Sequence, residues 1–251
     1  MHPIIAMWSH PRSVSTAIER IMRERGDCTC FHEPFMYDYY INRAVRVMPG
    51  FEPEPDKPQS YEAVKDCLLE ASESGPVFFK DMGYYVVPRI FEDRDFADRL
   101  TSTFLIRDPV KSIPSYYKLD AELTLEEIGL EGQWRLFDWT NRVIGKAAFV
   151  LDADLVQNDT QAAMRAYWEA LGLPFVSHAF EWQSETVPDD WKQVEAWHQK
   201  AQASTSIRPA EDNEKVREKF ELAAAKEPKL HSYLAHHRPF YEKLRAFAVD
   251  A

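Results

Sequence analysis

The chain has 251 residues and a formal net charge of −11, with 45% hydrophobic and 28% charged residues. This length and composition are those of a globular protein with a substantial buried core. The acidic balance argues against a protein that coats nucleic acid or an anionic membrane, because both need a basic face, although a few focused basic side chains would still bind a small anion.

The ends and the cysteines of the chain indicate where it works. No apolar run approaches the roughly 18 residues of a membrane span, and the start, MHPIIAMW, has neither a basic leader nor a small-residue cleavage site. Cys28, Cys30 and Cys67 are too few for a disulfide framework. We therefore expect a reduced, cytoplasmic protein in which Cys28 and Cys30 pack in a strand and bind no metal.

The first part of the chain predicts short strands that alternate with helices. Residues 3–8 form an apolar run typical of a buried parallel strand, and residues 14–25 have apolar side chains at the spacing of an amphipathic helix. CTCFHEPF predicts a second strand that ends at His32. The proline-rich residues 48–60 indicate a surface excursion. A helix follows in YEAVKDCLLEAS, and GPVFFKDMGYY predicts a third strand that ends at Lys80.

The rest of the chain continues this alternation. LTSTFLI predicts a fourth strand that ends at Arg107, and Asp108 with Pro109 has the N-cap and first-turn chemistry of a following helix. AAFVLDADL predicts a fifth strand. Further helices are expected over 122–145, 156–170, 191–202, 212–226 and 229–247.

The alternation predicts an α/β fold, with a three-layer parallel sheet flanked by helices and a helical C-terminal part, in a single domain over residues 1–251. Ligands of such sheets bind at the carboxyl ends of the strands. Each predicted strand ends in polar residues, so we expect these ends to converge on one site. The residues concerned are Ser9, His10, Arg12, His32, Glu33, Lys80, Asp81, Arg107, Asp108, Asp152 and Asp154.

The turn SHPRSVST after the first strand has the chemistry of an anion site. The first N–H groups of a helix are free to bind an anion, and Arg12 supplies a planar cation for phosphate or sulfate oxygens. Ser13, Ser15 and Thr16 add hydroxyl donors. The turn has neither the glycines nor the lysine of the GxxxxGK[ST] loop. Taken alone, it fits a serine helix cap beside a solvated arginine equally well.

A second signal lies in RDPVKSIPSYY. Arg107 stands at a strand end, and Ser115 follows eight residues later inside the next helix. Ser112 and Ser115 share a helix face because they are three residues apart. Taken alone, this stretch is compatible with a surface helix and a solvated arginine.

The two stretches together resemble the P-loop-type sulfotransferases that use 3′-phosphoadenosine 5′-phosphosulfate (PAPS). SHPRSVSTA is similar to the family's 5′-phosphosulfate loop, RDPVKSIPSYY to its 3′-phosphate motif and LDADLVQNDTQAAMRAYWEALGLPF to a later segment, in the family's order over residues 3–175. HEPF is similar to a bacterial branch in which Glu-Pro follows the second strand. The resemblance implies a P-loop NTPase-like sulfotransferase fold and sulfuryl transfer from PAPS to a small-molecule hydroxyl or amine, without a metal.

The resemblance also implies which residues bind PAPS. The segment STSIRPAEDN would be the loop that closes over the nucleotide, and His10 either contacts phosphate or shapes the turn. The implied donor-binding residues are His10, Arg12, Ser13, Val14, Ser15, Thr16, Arg107, Ser115 and Arg208. Val14 departs from the pattern, because many members carry glycine there.

The catalytic groups follow from the chemistry of sulfuryl transfer, which needs a base near the acceptor and cations near the leaving oxygen. Arg12 and Lys80 are the candidate cations. The histidine that follows Lys-Thr in cytosolic members is absent after Lys80, so the base must lie elsewhere. The candidates, in order, are Glu33 before Pro34, then His32, then Asp81. The pair His236 and His237 is expected on the exposed face of a C-terminal helix.

Two other functions fit parts of the sequence. A nucleotide kinase or hydrolase would need a Gly-Lys-[ST] loop and a strand that ends in a metal-binding aspartate. A non-catalytic family member would bind the nucleotide without turnover. The expected partner is a small-molecule acceptor, with no nucleic acid and no membrane, and a homodimer is compatible with this interpretation. The segments 34–60, 116–135 and 176–212 contain no readable code for the acceptor.

Overall fold

The computed structural model describes residues 1–182, 188–194, 196–197 and 204–248. Five strands form one parallel sheet in the order β2-β3-β1-β4-β5. They are β1 (Ile4–Ser9), β2 (Thr29–His32), β3 (Val77–Met82), β4 (Leu100–Ile106) and β5 (Phe149–Asp152). Each strand coincides with a run that the sequence predicts, so the parallel α/β architecture is confirmed.

Helices cover both faces of the sheet. They are α1 (Ser15–Glu24), α2 (Tyr61–Ser74), α3 (Gly83–Val86), α4 (Arg89–Glu92), α5 (Arg94–Arg99), α6 (Pro109–Tyr117), α7 (Leu130–Trp139), α8 (Ala153–Asn158), α9 (Thr160–Ala170), α10 (Asn213–Ala224) and α11 (Lys229–Arg245). Short 3₁₀ segments lie at Glu126–Ile128, Ser177–Phe180 and Asp189–Val194, and π-helical turns at Asp38–Asn42 and Thr140–Ile144. No helix of the described residues is both long and apolar enough to cross a membrane.

The alternation of side chains along β1 divides the core into two layers. Ile4, Ala6 and Trp8 pack with α2, α7, α10 and α11 on one face of the sheet. Ile5 and Met7 pack with α1 and α9 on the other face. The three-layer arrangement and the helical C-terminal part are therefore confirmed.

Two of the predicted helices are interrupted. The stretch 122–145 is divided because Gly129 adopts a φ of +85° between the 3₁₀ turn and α7. The stretch 156–170 begins earlier, at Ala153, and breaks at Asp159, whose side chain accepts the N–H of Ala162 at 3.0 Å and so caps α9. Of the predicted helix 191–202, residues 195 and 198–202 lie outside the described residues.

The strand order places a topological switch point at the carboxyl end of β1. Strands are added first on one side of β1 and then on the other, which creates a topological switch point at this edge of the sheet. Buried Gln133 of α7 holds the two diverging strand ends together, because its Nε2 donates to the carbonyls of Trp8 at 2.9 Å and Leu105 at 2.7 Å. A Cβ at Gly129 would lie 2.9 Å from the Cβ of His10, so only glycine allows α7 to approach this closely.

Candidate active site

A cavity of about 330 Å³ lies at the carboxyl ends of the strands. Its walls come from the turn after β1, the ends of β2 and β3, the N-terminal part of α6 and the segment before α10. The candidate residues in its lining are Arg12, Ser13, Val14, Ser15, Thr16, Glu33, Lys80, Arg107, Ser115 and Arg208. His10 and His32 are not part of this lining.

The cavity concentrates positive charge in an acidic protein. Within the part of the chain that the structure describes, its lining has five basic and two acidic side chains, whereas the whole chain has a net charge of −11. The basic residues are Arg12, Lys80, Arg107, Arg208 and Lys219, and the acidic ones are Glu33 and Glu211. A cleft of this kind attracts an anionic ligand.

The turn between β1 and α1 has an unusual backbone. Arg12 has a φ of +65° and Val14 a φ of +73°, and left-handed conformations cost non-glycine residues on the order of 1–3 kcal/mol. Turns of this kind direct successive backbone N–H groups toward an anion, and α1 begins at Ser15 with its own free N–H groups. The φ of Val14 also explains why glycine suits this position.

Two arginines from distant parts of the chain meet in the cavity. An Nη of Arg107 donates to the carbonyl oxygen of Arg12 at 2.8 Å. Burial and, to a smaller extent, the charge of Arg107 lower the pKa of Arg12 to about 10. The negative charge of Glu33 opposes this shift. Burial also lowers the pKa of Arg107, although nearby carboxylates oppose it. Both guanidinium groups remain cationic, so an anion beside them would offset their desolvation and their mutual repulsion.

Some polar atoms of this site have no partner within the described residues. The Nε of Arg107 and the Oγ of Ser13 are buried and form no hydrogen bond there. Buried polar groups in proteins are almost always hydrogen-bonded. Both residues line the cavity, so the oxygens of a bound anion would complete their hydrogen bonding.

His10 connects the first turn to β4. Its Nε2 accepts the backbone N–H of Arg107 at 3.0 Å, and the side chain is fully buried. Burial, followed by the charge of Arg107, lowers the pKa of His10 to about 3. A neutral imidazole that holds the Arg107 backbone favours the second of the two predicted roles for His10, that of shaping the turn.

Glu33 and Lys80 form a buried ion pair in the cavity. The carboxylate of Glu33 accepts from the Nζ of Lys80, and Lys80 is fully buried while Glu33 is 5% exposed. The backbone N–H of Glu33 also donates to the carbonyl of Lys80 at 2.9 Å. Glu33 follows β2 directly with a φ of +43°. An acid–base group and a cation therefore lie side by side at the strand ends.

The other two candidate bases occupy different surroundings. The Nδ1 of His32 lies 2.6 Å from the Oε2 of Glu19, behind the cavity. Asp81 accepts the backbone N–H of Phe35 at 2.7 Å and of Met82 at 2.8 Å. Burial, together with the charge of Glu33, raises the pKa of Asp81 well above its usual range. Asp81 thus holds the loop after β2, as an aspartate bonded to nearby backbone would.

Sequence reasoning did not identify one wall of the cavity. This wall is aromatic and thioether-rich, and it consists of Tyr40, Met48, Met82, Tyr84, Tyr85, Tyr116 and Trp197. Tyr40 is held from behind, because its hydroxyl donates to buried Glu127 at 2.9 Å. The available signal was the Tyr-Tyr dipeptides that follow β2 and β3 at residues 39–40 and 84–85.

Three polar lining residues and one buried histidine were also not anticipated. Gln157 accepts a hydrogen bond from an Nη of Arg107 at 3.3 Å and donates one to the carbonyl of Arg208 at 2.9 Å. It therefore connects Arg107 with the segment before α10. Glu211 and Lys219 complete the lining. The expected exposure of His237 is wrong, because this side chain is fully buried and donates to the carbonyl of Leu125 at 2.7 Å.

The residues that the structure describes contain no group of three or more His, Cys, Asp or Glu side chains that could hold a metal ion. The three cysteines form no disulfide, and a hydrogen bond joins the sulfur atoms of Cys28 and Cys30 at 3.6 Å.

The chain is similar to known proteins along most of its length. A family profile for the sulfotransferase domain matches residues 3–233. Two Arabidopsis thaliana proteins, branched-chain-amino-acid aminotransferase-like proteins 2 and 1, are each 26% identical to the chain, over 218 and 211 residues. Each match covers 81% of this chain and 36% of the relative. The chain therefore spans about a third of the length of these relatives.

Solved structures also match the chain. The sulfotransferase domain of the Synechococcus PCC 7002 olefin synthase is 18% identical with a TM-score of 0.49, and the match covers 89% of this chain and 94% of that one. The sulfotransferase domain from the curacin biosynthetic pathway is 10% identical with a TM-score of 0.46, with coverages of 90% and 97%. Sulfotransferase STF9 from Mycobacterium avium is 13% identical with a TM-score of 0.43, with coverages of 90% and 76%.

Proposed function

The chain belongs to the sulfotransferase domain family, and on this premise we propose that it transfers a sulfuryl group from PAPS to a hydroxyl or amine of a small molecule. The observation that carries the proposal is the meeting of Arg12 and Arg107, one from each predicted anion motif, in one cavity. Both are cationic and desolvated, which suits a donor with two separate anionic groups. The cytoplasmic location expected from the reduced cysteines belongs to the same proposal.

In this proposal, the two ends of the donor bind to different parts of the cavity. The 5′-phosphosulfate lies on the backbone N–H groups of residues 12–16, with Arg12 and nearby hydroxyls in contact. The 3′-phosphate lies against Arg107 and Ser115. Arg208 is exposed and belongs to the segment 204–211 that lines the outer part of the cavity, where a closing loop would contact the nucleotide.

The reaction is an in-line displacement at sulfur. The acceptor oxygen or nitrogen forms a bond to sulfur, the bond between sulfur and the bridging oxygen breaks, and its electron pair remains on the 5′-phosphate of adenosine 3′,5′-bisphosphate. Lys80 and Arg12 stabilise this charge. Glu33 takes the proton of the acceptor.

The Lys80–Glu33 ion pair implies an order of events. Without a donor, Lys80 is held by Glu33. A donor carrying several negative charges attracts the ammonium toward the bridging oxygen, and the carboxylate is then released to face the acceptor. The base is thus available only when the donor is bound, which suppresses wasteful side reactions.

The acceptor occupies the aromatic wall. Tyr40, Tyr84 and Tyr85 line the same cavity as Glu33 and Lys80. This surface suits a small, mainly apolar compound whose hydroxyl or amine reaches Glu33.

The kinase or hydrolase alternative and the non-catalytic alternative are separated by one pair of experiments. A thermal-shift comparison of adenosine 3′,5′-bisphosphate with ATP is followed by a screen of phenols, primary alcohols and amines with ³⁵S-labelled PAPS.

At 100 times its Kd a ligand stabilises the fold by about 2.7 kcal/mol, which raises the Tm of a protein of this size by roughly 5–10 °C. We expect this rise for the bisphosphate and a much smaller one for ATP. Stabilisation by ATP alone refutes the proposal, and bisphosphate binding without transfer to any acceptor identifies a non-catalytic protein.

A further inference from the structure

A line of buried polar side chains continues behind Glu33, away from the main cavity. The Nε2 of His32 lies 3.8 Å from the Oε1 of Glu33, and the Nδ1 of His32 lies 2.6 Å from the Oε2 of Glu19. The side chains of His32 and Glu19 have no exposed surface. The sulfuryl-transfer step proposed above uses neither of these two residues.

Glu19 is ionised, although it is completely buried. Burial by itself would raise its pKa, but His32 and Arg23 outweigh burial and lower the pKa to about 2. The other carboxylate oxygen of Glu19 accepts from the Nε of Arg23 at 2.8 Å and from the indole of Trp191 at 2.9 Å. An ionised carboxylate only accepts hydrogen bonds, so the Nδ1 of His32 carries a proton that it donates to Glu19.

This bond fixes the orientation of the His32 ring. The other ring nitrogen, Nε2, lies nearest to Glu33, and it has a lone pair whenever Nδ1 alone carries a proton. A hydrogen bond requires about 3 Å, so a shift of less than about 1 Å connects the two groups. The departure of Lys80 toward the donor would leave Glu33 free to make this shift.

A second cavity lies next to His32, although the His32 side chain itself has no exposed surface. This cavity has a volume of about 190 Å³ and is lined by His32, Phe31, Pro34, Tyr37, Lys57, Pro58, Val64, Cys67, Leu68, Asp190 and Gln193. Glu33 belongs to the lining of the main cavity, whereas His32 belongs to that of the second. The half-exposed side chains of Lys57 and Asp190 connect the second cavity with solvent.

We propose that Glu19 and His32 form a proton relay that draws the acceptor's proton from Glu33 onto the imidazole of His32. The acceptor O–H or N–H bond breaks as the bond to sulfur forms, and the proton passes to Glu33. It then moves to the Nε2 of His32, and the resulting imidazolium is stabilised by the carboxylate of Glu19. After the products leave, Glu33 takes the proton back and passes it to water in the main cavity, which Glu33 lines, and the neutral ring is restored. Both residues are positioning residues, because they act through Glu33.

Charged side chains from the neighbouring helix, strand and 3₁₀ segment surround Glu19 and His32. Arg23 lies on α1 beside Glu19, and Lys80 on β3 is the register partner of His32. Asp190, in the 3₁₀ segment, pairs with Arg23 at 2.6 Å. Asp81 lies beside Lys80 on β3. A substitution that changes Glu19 alone therefore leaves the surrounding charges in place.

The experiment compares Glu19→Gln with Trp191→Phe, using the best acceptor from the ³⁵S screen. Both variants change the hydrogen bonding around position 19. Glu19→Gln removes the negative charge next to His32, whereas Trp191→Phe removes only the indole donor and leaves that charge in place. We expect Glu19→Gln to lower kcat by about 10- to 100-fold, with the Kd of adenosine 3′,5′-bisphosphate unchanged. The acidic limb of its pH–rate profile should move to lower pH, because the protonated relay loses its counter-ion. Trp191→Phe should change neither the rate nor the profile.

A second pair of variants tests His32 itself. His32→Asn keeps a donor toward Glu19 but cannot accept a proton at the Nε2 position, and we expect it to lose kcat to the same extent as Glu19→Gln. His32→Ala should be slow and should recover activity when imidazole is added, because removal of the ring leaves a space that adjoins the second cavity and admits imidazole. Unchanged kcat in Glu19→Gln and His32→Asn, or an equal loss in Trp191→Phe, would overturn the relay.

The relay rests on the proposed function, and the two fail in different ways. If the wild-type protein binds the bisphosphate but transfers no sulfuryl group, the proposed function fails. If transfer occurs and the variants are unaffected, only the relay fails. The ¹⁵N NMR spectrum of His32 is a measurement independent of turnover. We expect the Nδ1–H tautomer in the ligand-free protein, and the Nε2–H tautomer would contradict the relay.

Discussion

The Nε of Arg12 donates a hydrogen bond of 3.1 Å to the Oγ of Ser115, although 103 residues separate them in the chain. This bond joins the turn after β1 to α6. The second anchor of Arg12 is the carbonyl of Trp197, at 2.8 Å. The two anion motifs are consequently parts of one surface, and a ligand that contacts one of them lies within reach of the other.

We expect Arg107→Ala to weaken the binding of adenosine 3′,5′-bisphosphate by about 10- to 150-fold, because a charge-assisted hydrogen bond to phosphate contributes on the order of 1.5–3 kcal/mol. Binding of 5′-AMP should hardly change, since 5′-AMP has no 3′-phosphate. Calorimetry with both nucleotides measures the difference. Lys111→Ala is the matched control, because Lys111 lies on α6, the helix that follows Arg107, and pairs with Asp154 at 2.5 Å outside the cavity lining. Equal losses for both nucleotides would assign Arg107 to the fold instead.

Glu33→Gln should lower kcat by about 100-fold or more, because the amide cannot accept the proton of the acceptor. Nucleotide affinity should remain nearly the same, since Glu33 is proposed to act on the acceptor and not to contact the nucleotide. Steady-state kinetics with labelled PAPS, together with a calorimetric Kd, separate the two effects. An unchanged kcat would transfer the role of base to His32 or Asp81.

Nucleotide binding should be independent of Mg²⁺. The proposal relies on guanidinium groups, hydroxyls and backbone N–H groups to offset the charge of the phosphates. The Kd of adenosine 3′,5′-bisphosphate should therefore be the same with EDTA as with added Mg²⁺, in matched ionic strength. A loss of binding in EDTA would favour the kinase or hydrolase interpretation.

His10 should make the folded state sensitive to mild acid. Its pKa is about 3 in the folded protein, below the ordinary value of 6.5, so the unfolded chain binds a proton first as the pH falls. This difference lowers the free energy of unfolding by up to about 1.4 kcal/mol for each pH unit below 6.5. His10→Gln retains an acceptor for the Arg107 N–H and should reduce this slope between pH 6.5 and 5. Urea unfolding at several pH values measures the slope.

The exposed His2 provides the control for this measurement. His2→Gln should leave the pH dependence as it is in the wild type. The same slope in His10→Gln and in the wild type would show that His10 is protonated without penalty in the folded protein, contrary to its burial.

The strands and the boundaries of several helices could be predicted because their signals are local, whereas the short helices α3, α4 and α5 were not predicted. Alternating apolar runs, the Asp108–Pro109 start of α6 and the glycines after helices act within a few residues. The errors arose where a local signal competed with a continuous pattern. Asp159 looked like an ordinary polar residue on a long helix, but its side chain caps a new one. Gly129 breaks another helix because α7 must approach His10 closely.

Residue order and short-range periodicity are enough to predict the parallel α/β architecture, the polar strand ends and the two arginine-containing motifs. Which of these groups meet becomes visible only in the folded protein. It pairs Glu33 with Lys80, places His10 on the backbone of Arg107, and buries Glu19 and His237. Such contacts depend on the packing of segments far apart in the chain, and so do the desolvation and charge that decide whether a side chain binds, reacts or supports the fold.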